Sequence, residues 1–391
     1  MSHSEPSTRL VVFADDWGRH PSSCQHLVGR LLSLHPTIWV NTIGMRRLRC
    51  TVEDAGKALA RIRQWAGAPA SPRPLPHNLV VLTPWMWPRF RRRWQRRCNA
   101  LQIGHCVNRA LGPRCSGERR VAVTTLPIAA DLVGRIDVDR WVYYCVDDFS
   151  VWPGLDGDVM QSMERLLVER VDGLITVSRT LQDRFARSGT PHLLTHGIDV
   201  DHWHSGGAAF DRRSMAGLPS WFRSLQTPIY LFWGLVDRRL DTQWCCRVAS
   251  GEGTLVLAGP HQSPDPALKP SNQLVMPGPI PYEQLPELAA ACDVLVMPYA
   301  DMPVTRAMQP LKLTEYLATG KPVVVRRLPA TVEWVDAADV VDSADDFVRA
   351  VQQRAHSGVP DSQRRARRRL GEHAWQEKAH RFERLLLHKA A

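Results

Sequence analysis

The chain has 391 residues, 44% hydrophobic and 23% charged, a composition typical of a globular protein long enough for two or three domains. A mean hydropathy of −0.25 and the lack of any run of about 18 apolar residues argue against a membrane-spanning helix, and nine cysteines without a metal or disulfide spacing favour reduced thiols in the cytosol. The net charge of +11 favours anionic partners.

Short apolar runs alternate with helical patterns along the chain. The predicted strands are Leu10–Ala14, Ile38–Thr42, Leu79–Thr83, Val121–Thr124, Trp141–Val146, Leu174–Val177, Ile229–Trp233, Thr254–Ala258, Gln273–Met276, Val294–Met297 and Pro322–Val325. The predicted helices are Cys24–Leu34, Asn99–Leu111, Val159–Val168, Leu181–Arg187, Leu285–Ala291 and Leu311–Thr319. Continuous apolar strands that alternate with helices indicate parallel sheets covered on both faces.

One stretch of weak periodicity interrupts this alternation. His202–Leu218 is rich in Gly, Ser and Arg, which is typical of a join between domains. We therefore predict an α/β fold of two Rossmann-like, doubly wound domains that face a cleft. The domains cover residues 1–201 and 202–365, and a helix over 366–391 is expected to cross back to the first.

Several common nucleotide-binding and hydrolytic motifs are absent from the sequence. The turn after the first strand reads DDWGRHPSS and contains no GxGxxG, which disfavours a dinucleotide-binding dehydrogenase. No GxxxxGK[ST], HExxH or GxSxG occurs, which disfavours P-loop enzymes, zinc proteases and serine hydrolases with a nucleophile elbow.

The strongest local signal is the segment Met297–Val325, which reads MPYADMPVTRAMQPLKLTEYLATGKPVVV. Gln309 and Pro310 open a predicted helix whose first N–H groups suit a diphosphate at the carboxyl edge of the sheet. Lys312 adds positive charge for phosphate oxygens, and Glu315 offers two acceptors for a ribose diol. The alternative is an amphipathic helix with an ordinary surface Lys–Glu pair.

PLKLTEYLATGKPVVV resembles the donor-site segment of the GT-B-fold glycosyltransferases, in their group-1-like branch. Further segments match in the family's order: YYCVDDFSVWPG, VDGLITVSRTLQDRF, THGIDVDHW, IYLFWGLVDRRLD, LVLAGP and PGPIPYEQLPELAAACDVLVMPY. Together they cover about residues 120–330. The resemblance implies an enzyme that takes a nucleotide-sugar as donor.

The resemblance also implies roles for individual residues of the second domain. Glu315 matches the family's ribose-binding Glu, Lys312 matches a diphosphate-binding Lys, and Tyr299 matches a nucleotide-site Tyr of xanthan glucuronosyltransferase-like enzymes. Gly234 is expected to let the backbone approach the donor. Arg238 is expected to reach the phosphates, with the adjacent Arg239 as the alternative.

The donor segment departs from the family at one position. Many retaining members have two Glu residues eight apart, whereas Ala307 stands eight residues before Glu315. Arg306 and Gln309 are nearby but not equivalent, although Gln309 remains a predicted donor-site residue. The stereochemical outcome is therefore left open.

The candidate base lies in the first domain. Asp147 follows a buried-looking strand and aligns with the proposed base of the glucuronosyltransferase-like group, where it would take the proton of an acceptor hydroxyl. Asp148 is then a capping or orienting residue. Asp16 and His20, after the first strand, are the second choice, and both Asp147 and Asp148 could instead be simple turn residues. No metal or other cofactor is expected, because no acidic D-x-D is convincingly placed.

The segment Pro84–Arg97 reads PWMWPRFRRRWQRR and mixes Trp with closely spaced Arg. This mixture indicates contact with an anionic membrane surface, with a solvated basic helix and a nucleic-acid contact as alternatives. We favour the membrane and expect no nucleic-acid partner. The expected location is the cytoplasm, peripheral on the inner membrane face.

The prediction for the whole chain is a glycosyltransferase of polysaccharide biosynthesis. It would move a sugar from a nucleotide-sugar to a hydroxyl of a glycolipid or surface-polysaccharide acceptor. The alternatives are a nucleotide-sugar 2-epimerase of the same fold and a non-catalytic nucleotide-sugar-binding subunit.

Overall fold

A computed structural model describes residues 7–18, 22–42, 74–87, 90–204 and 217–387. The chain divides into two compact units. The first comprises Met1–Thr195 and Gln376–Ala391, and the second comprises His196–Trp375.

The first unit contains a sheet flanked by helices. Its strands are β1 Thr8–Ala14, β2 Thr37–Asn41, β3 Leu79–Leu82, β4 Arg119–Thr124, β5 Arg140–Cys145, β6 Gly173–Thr176 and β7 His192–Leu193. Its helices are α1 Ser23–Leu31, α2 Arg93–Leu111, α3 Gly157–Val168 and α4 Arg179–Phe185, with a 3₁₀ helix over Pro127–Leu132. All neighbouring strands are parallel, in the order β3-β2-β1-β4-β5-β6-β7.

The second unit repeats this architecture. Its strands are β8 Ile229–Trp233, β9 Val236–Asp237, β10 Thr254–Ala258, β11 His261–Gln262, β12 Leu274–Gly278, β13 Val294–Met297, β14 Val323–Arg326 and β15 Asp339–Val341. Its helices are α5 Val200–His204, α6 Ser220–Arg223, α7 Thr242–Ala249, α8 Leu285–Ala291, α9 Pro303–Ala307, α10 Leu311–Ala318, α11 Pro329–Val332, α12 Ala344–Ser357 and α13 Asp361–Ala366, and 3₁₀ helices cover Tyr282–Gln284 and Arg367–His373. A last helix, α14 Trp375–Leu387, begins at the end of this unit and continues into the first.

The main sheet of the second unit is also parallel throughout, in the order β12-β10-β8-β13-β14-β15. Numbered within the unit this order is 3-2-1-4-5-6, and the first sheet has the same order with one strand added. This is the doubly wound arrangement. The predicted α/β fold with two Rossmann-like domains is confirmed.

Most of the predicted elements begin and end within three residues of their predicted positions, with two exceptions, and the sequence does not predict α12, β7, β15 and several shorter elements. The helix predicted over 366–391 is divided, because a 3₁₀ helix covers Arg367–His373 and α14 begins only at Trp375. Helix α2 begins at Arg93, whereas the sequence places its start at Asn99. Its first turn lacks the apolar periodicity that the prediction uses, because Trp94 and Arg97 are exposed there. No helix of the described ranges is both long and apolar enough to cross a membrane.

Contacts within the chain divide it after Thr195 and after Trp375, a few residues from the boundaries that the sequence predicts after residues 201 and 365. Close to both divisions the second unit has a parallel bridge, in which the Ile198 N–H donates to the His373 carbonyl at 2.8 Å and the Trp375 N–H donates to the Ile198 carbonyl at 3.0 Å. Most of the predicted join lies outside the described residues, which omit 205–216.

Helix α14 is built into the first unit. Phe382 is fully buried, with its ring 5.3 Å from that of Tyr144, and Glu383 pairs with His35 at 2.7 Å. Burial of an aromatic ring is among the larger single contributions to a core. The first unit is therefore closed by a segment that follows the second unit in the sequence.

Candidate active site

The strand order of the second unit points to its ligand crevice. The strand order reverses between β8 and β13, because β10 and β12 are added on one side of β8 and β13 to β15 on the other, and ligands of doubly wound sheets bind beyond the carboxyl ends of the strands at such a point. Gly234 directly follows β8, and Tyr299 lies two residues after β13. Helix α10, which carries Lys312 and Glu315, precedes the next strand, β14. The predicted donor residues thus come from the elements that flank the reversal.

Lys312 lies at the centre of these elements. Its ammonium donates a hydrogen bond to the Tyr299 hydroxyl at 2.7 Å and lies 4.5 Å from the centre of the Phe232 ring. Within the described ranges Lys312 forms no ion pair with a carboxylate. An ammonium has three donors, so two remain for an anion. The aromatic contacts hold the cation in place without neutralising it.

Two glycines leave room for this arrangement. Gly234 has φ 138°, and a Cβ at this position would overlap the Lys312 ammonium. Gly259, after the neighbouring strand β10, has φ 146°, and a Cβ there would overlap the Gly234 carbonyl oxygen. Two backbone turns therefore approach each other and the lysine more closely than residues with side chains allow.

Helix α10 begins as the sequence predicts. Pro310 is the residue before the first helical position, and no side chain caps the first turn. Gln309 is 8% exposed, and its side chain makes no hydrogen bond within the part of the chain that the structure describes. Gly320, with φ 74°, follows the end of the helix. An uncapped first turn carries N–H groups and a positive dipole end.

Glu315 lies one turn further along α10 and is almost completely buried, with 5% exposure. One carboxylate oxygen accepts from the Trp233 indole N–H at 3.1 Å and the other from the Tyr282 hydroxyl at 3.2 Å. Burial raises the pKa of Glu315, and these two hydrogen bonds oppose that effect. Each oxygen keeps a lone pair, so the carboxylate can still accept two ligand hydroxyls.

Further aromatic rings surround this carboxylate. Trp203 stacks on Trp233 with ring centres 5.1 Å apart and planes 7° apart, and His202 stacks on Tyr282 at 4.6 Å and 4°. Burial, and then the charge of Glu315, raise the pKa of Tyr282, which keeps its hydroxyl protonated as a donor. These four rings were not predicted as site residues. Trp233 at the end of a buried strand and Tyr282 in the PYEQLPEL motif were the available signals.

The two arginines after Gly234 differ. Arg239 is 6% exposed and its guanidinium donates to Asp237 at 3.0 Å. Arg238 is exposed to solvent. The structure therefore leaves Arg238 the more accessible of the two for an anion.

In the first unit, Asp147 and Asp148 follow β5 and are half-buried. Asp148 is held in place, because one of its oxygens accepts from the Ser150 N–H at 3.0 Å and the Ser150 hydroxyl at 2.5 Å and pairs with Arg184 at 2.9 Å. The Asp147 carbonyl accepts a weak bond from the Cys145 thiol at 3.5 Å. This geometry matches an orienting role for Asp148.

A buried network lies behind this turn. Arg184 on α4 bridges Asp148 and Glu164, and Glu164 on α3 is 2% exposed. The other Glu164 oxygen accepts from the Tyr143 hydroxyl at 2.7 Å. Burial raises the pKa of Glu164, and the Arg184 charge opposes this. Glu164 and Arg184 were not predicted, because they lie on different helices and 20 positions apart in the sequence.

Of the second-choice residues, Asp16 lies beyond β1, where the strand order of the first sheet reverses. Asp16 is half-buried, and its carbonyl accepts from the Gln25 side chain at 3.2 Å. His20 lies outside the described residues. The described ranges contain no group of three His, Cys, Asp or Glu side chains arranged to hold a metal ion.

Comparison with known proteins supports the resemblance. Residues 242–356 match the family model described as glycosyl transferases group 1. Over 239 residues the chain is 26% identical to a protein of Bacillus subtilis named putative teichuronic acid biosynthesis glycosyltransferase TuaH, a match that covers 55% of this chain and 57% of that protein. The matched region thus spans little more than half the length of this relative.

Solved structures match over almost the whole chain. Sucrose-phosphate synthase from Thermosynechococcus elongatus superimposes with a TM-score of 0.68 at 14% identity, covering 97% of this chain and 98% of that one. HepE from Anabaena, solved in complex with UDP and glucose, gives 0.65 at 12% identity, covering 97% and 99%. At this identity the likeness shows the fold. The predicted resemblance to the GT-B group 1 glycosyltransferases is confirmed.

Proposed function

We propose that this protein, which carries a group 1 glycosyltransferase segment on a GT-B fold, transfers a sugar from a nucleotide-sugar donor to an acceptor hydroxyl. The observation that carries the proposal is the Lys312 ammonium, which lies over Gly234 beside the uncapped start of α10. Positive charge, a helix N-terminus and backbone space at a sheet reversal together suit a diphosphate. HepE, a structural neighbour, was solved with UDP-glucose, which supports a donor of this class.

The donor is assigned to the second unit. Lys312 and the first N–H groups of α10 would bind the diphosphate, with Arg238 as a second cation, and Glu315 would accept from the ribose hydroxyls. When the sugar leaves, negative charge develops on the terminal phosphate oxygen, and the same cations stabilise it. Fixed positive charge of this kind makes a metal unnecessary, so we propose a reaction without a metal or other cofactor.

The acceptor is assigned to the first unit, with Asp147 as the base. Asp147 would take the proton of the acceptor hydroxyl. At the same time the hydroxyl oxygen would form a bond to the anomeric carbon of the donor sugar, and the bond from that carbon to the nucleoside diphosphate would break. Arg184 and Ser150 engage Asp148, which supports an orienting role for Asp148 in this turn. The name of the Bacillus subtilis relative supports a glycolipid or surface-polysaccharide acceptor. Such an acceptor would bring the protein to the inner face of a membrane as a peripheral protein.

Calorimetry with UDP and uridine tests the donor site. Lys312→Ala should weaken UDP binding by about 10- to 100-fold, because a charge-assisted hydrogen bond contributes about 1.5–3 kcal/mol, and should change uridine binding little. Lys269→Ala removes an equal charge from an exposed loop and serves as the control. Equal losses of UDP and uridine affinity in Lys312→Ala would contradict the assignment. ADP and GDP extend the test to other bases.

Turnover tests the reaction itself. With candidate UDP-sugars and a lipid-linked acceptor, the wild type should release UDP and form a glycoside, and Asp147→Asn should bind UDP normally but lose transfer by about 100-fold or more. An isomerised nucleotide-sugar would identify an epimerase instead. UDP binding without turnover across donors and acceptors would identify a binding subunit.

A further inference from the structure

Three exposed tryptophans form a continuous patch on the first unit. Trp85, Trp87 and Trp94 are 39%, 40% and 49% exposed, and their ring centres are 5.1 Å apart for Trp85–Trp87 and 5.9 Å apart for Trp87–Trp94. We call these residues the tryptophan patch. Tryptophan is the largest side chain and usually contributes its area to a core or an interface, so three neighbouring exposed rings indicate a contact surface.

The patch is held by the core beneath it. Met86, between two of the tryptophans, is 1% exposed, and Phe90 is 7% exposed. The Asn99 side chain accepts from the Trp87 N–H at 2.7 Å and donates to the Trp87 carbonyl at 3.1 Å. The backbone is therefore fixed with Met86 and Phe90 inward and the tryptophans outward.

Positive charge surrounds the patch. Arg91, Arg92, Arg93 and Arg97 are exposed, whereas Arg96 is neutralised by a two-bond pair with Asp131 at 2.7 and 2.8 Å. The exposed face of α2 continues through Leu101, which is 62% exposed. Apolar rings and unneutralised arginines thus share one surface.

In the sequence, the excess of basic residues is concentrated in the stretch that contains the tryptophan patch. Between Asp54 and Glu118 there are twelve Lys and Arg and no Asp or Glu, whereas the chain as a whole has a net charge of +11. Without this stretch the rest of the chain has a net charge of −1, since 11 minus 12 is −1. The excess positive charge is therefore a local feature that fits an extended anionic partner.

We propose that the tryptophan patch and the arginines beside it dock the first unit onto an anionic lipid bilayer. Indole rings prefer the headgroup level of a bilayer, where the ring is apolar and the N–H remains hydrated, and arginines pair with lipid phosphates. The combination of insertion and charge gives stable attachment where either alone is weak. The docking does not depend on the transferase reaction and is testable without a substrate.

The ring geometry favours the bilayer over a nucleic acid. The planes of both ring pairs are 75° apart, so the rings meet edge to face. Single-stranded nucleic acids bind to ring faces on which successive bases stack, and such faces are partly covered here. Insertion into a headgroup layer requires no parallel faces.

Vesicle flotation tests the proposal with the full chain. The wild type should float with vesicles of phosphatidylcholine and phosphatidylglycerol in equal amounts and much less with phosphatidylcholine alone. Arg91→Ser, Arg92→Ser and Arg93→Ser together should weaken binding by about 100-fold, since each basic residue near an anionic surface contributes about fivefold. Trp85→Ala, Trp87→Ala and Trp94→Ala together should leave only binding that high salt abolishes.

A matched control is available in the second unit. Arg364, Arg365 and Arg368 are also exposed, and their combined change to Ser removes the same charge in a region where Trp334 and Trp375 are buried. This variant should float like the wild type. Equal loss in both arginine variants, or flotation of the wild type that ignores phosphatidylglycerol, would overturn the proposal. Binding to single-stranded RNA that the tryptophan variant abolishes, without flotation of the wild type, would assign the surface to nucleic acid instead.

Discussion

At the scale of single residues, Lys312 and Glu315 have opposite charges and lie in different surroundings. The Lys312 ammonium lies beside aromatic rings and has hydrogen-bond donors left over, whereas Glu315 is buried and already accepts from Trp233 and Tyr282. A buried carboxylate costs stability unless hydrogen bonds compensate. Such a cost in the absence of ligand is typical of a group that serves binding.

This cost gives a prediction for Glu315→Gln. Because burial raises the pKa of Glu315, the folded protein holds its proton more tightly than the unfolded chain does. The stability that Glu315 contributes therefore falls as pH rises above the ordinary glutamate range. The variant cannot ionise at this position, so it should lack this pH dependence and should have a Tm a few degrees higher than the wild type near neutral pH. Thermal unfolding across pH measures it.

Glu315→Gln also distinguishes the contact to the ribose from the contact to the diphosphate. Glu315→Gln should weaken uridine and UDP by similar factors of about tenfold, because its contact is to ribose, whereas Lys312→Ala affects UDP selectively. A Tm profile that falls with pH as steeply in the variant as in the wild type, or a loss of affinity confined to UDP, would count against these roles.

The sequence predicts the polar members of the site but not the rings around them. Lys312, Glu315 and Gly234 stand in a motif with recognisable spacing, and the structure brings Lys312 to Gly234. The hydrogen bonds from Trp233 and Tyr282 to Glu315 join residues 82 and 33 positions apart. The position of Trp233 at the end of a strand and of Tyr282 in a motif are weak signals, because many Trp and Tyr residues in such positions only pack in a core.

At the scale of secondary structure, the pairing of α3 with α4 determines how the Asp147 turn is held. Arg184 on α4 neutralises Glu164 on α3 and also reaches Asp148, so one guanidinium links two helices and the turn. Glu164 is buried, which makes Arg184 its main charge partner. Removal of one member of a buried pair leaves an uncompensated charge.

Arg184→Met should therefore lower the free energy of unfolding by about 3 kcal/mol at neutral pH. The loss should shrink as pH falls towards the ordinary glutamate range, because Glu164 with its raised pKa then becomes neutral. Urea denaturation at several pH values measures this. The double variant Arg184→Met, Glu164→Gln should recover most of the stability, and a loss of equal size at all pH values would contradict the ion-pair explanation.

Element boundaries show where pattern reasoning works and where it stops. The strands β5, β8, β10 and β13 are buried along their whole length, so continuous apolar runs predict them well. Short strands such as β9 and β11 have two residues each and leave no pattern. Helix α2 starts six residues before its predicted start because exposed Trp and Arg form its first turns, and apolar periodicity cannot detect a turn whose side chains face solvent.

At the scale of the whole molecule, the sequence predicts two doubly wound sheets. The residues at which the two units divide depend on contacts between residues that are far apart in the sequence. Alternating strands and helices predict doubly wound sheets wherever they occur. Near the boundary, the bridge between Ile198 and Ala374 joins residues far apart in the sequence. Gly197 packs so closely on Trp375 that a Cβ there would overlap the indole.

This bridge predicts how the second unit behaves alone. A fragment of residues 196–375 keeps the bridge and the described donor contacts and should unfold cooperatively and bind UDP within a few-fold of the full chain. A fragment of residues 202–365, which follows the boundaries predicted from sequence, lacks the bridge and should unfold at lower denaturant concentration. Circular dichroism and calorimetry compare the two, and equal stability would show that the bridge does not define the unit.

The passage of α14 into the first unit has a consequence for biosynthesis. Domains generally fold as units while the chain emerges from the ribosome. The second unit is complete once Trp375 has emerged. At that point the ring of Tyr144 in the first unit is not yet packed against Phe382, which emerges later. The half of the protein that is made first is therefore finished last, and its exposed core in the interval is where chaperones would be needed.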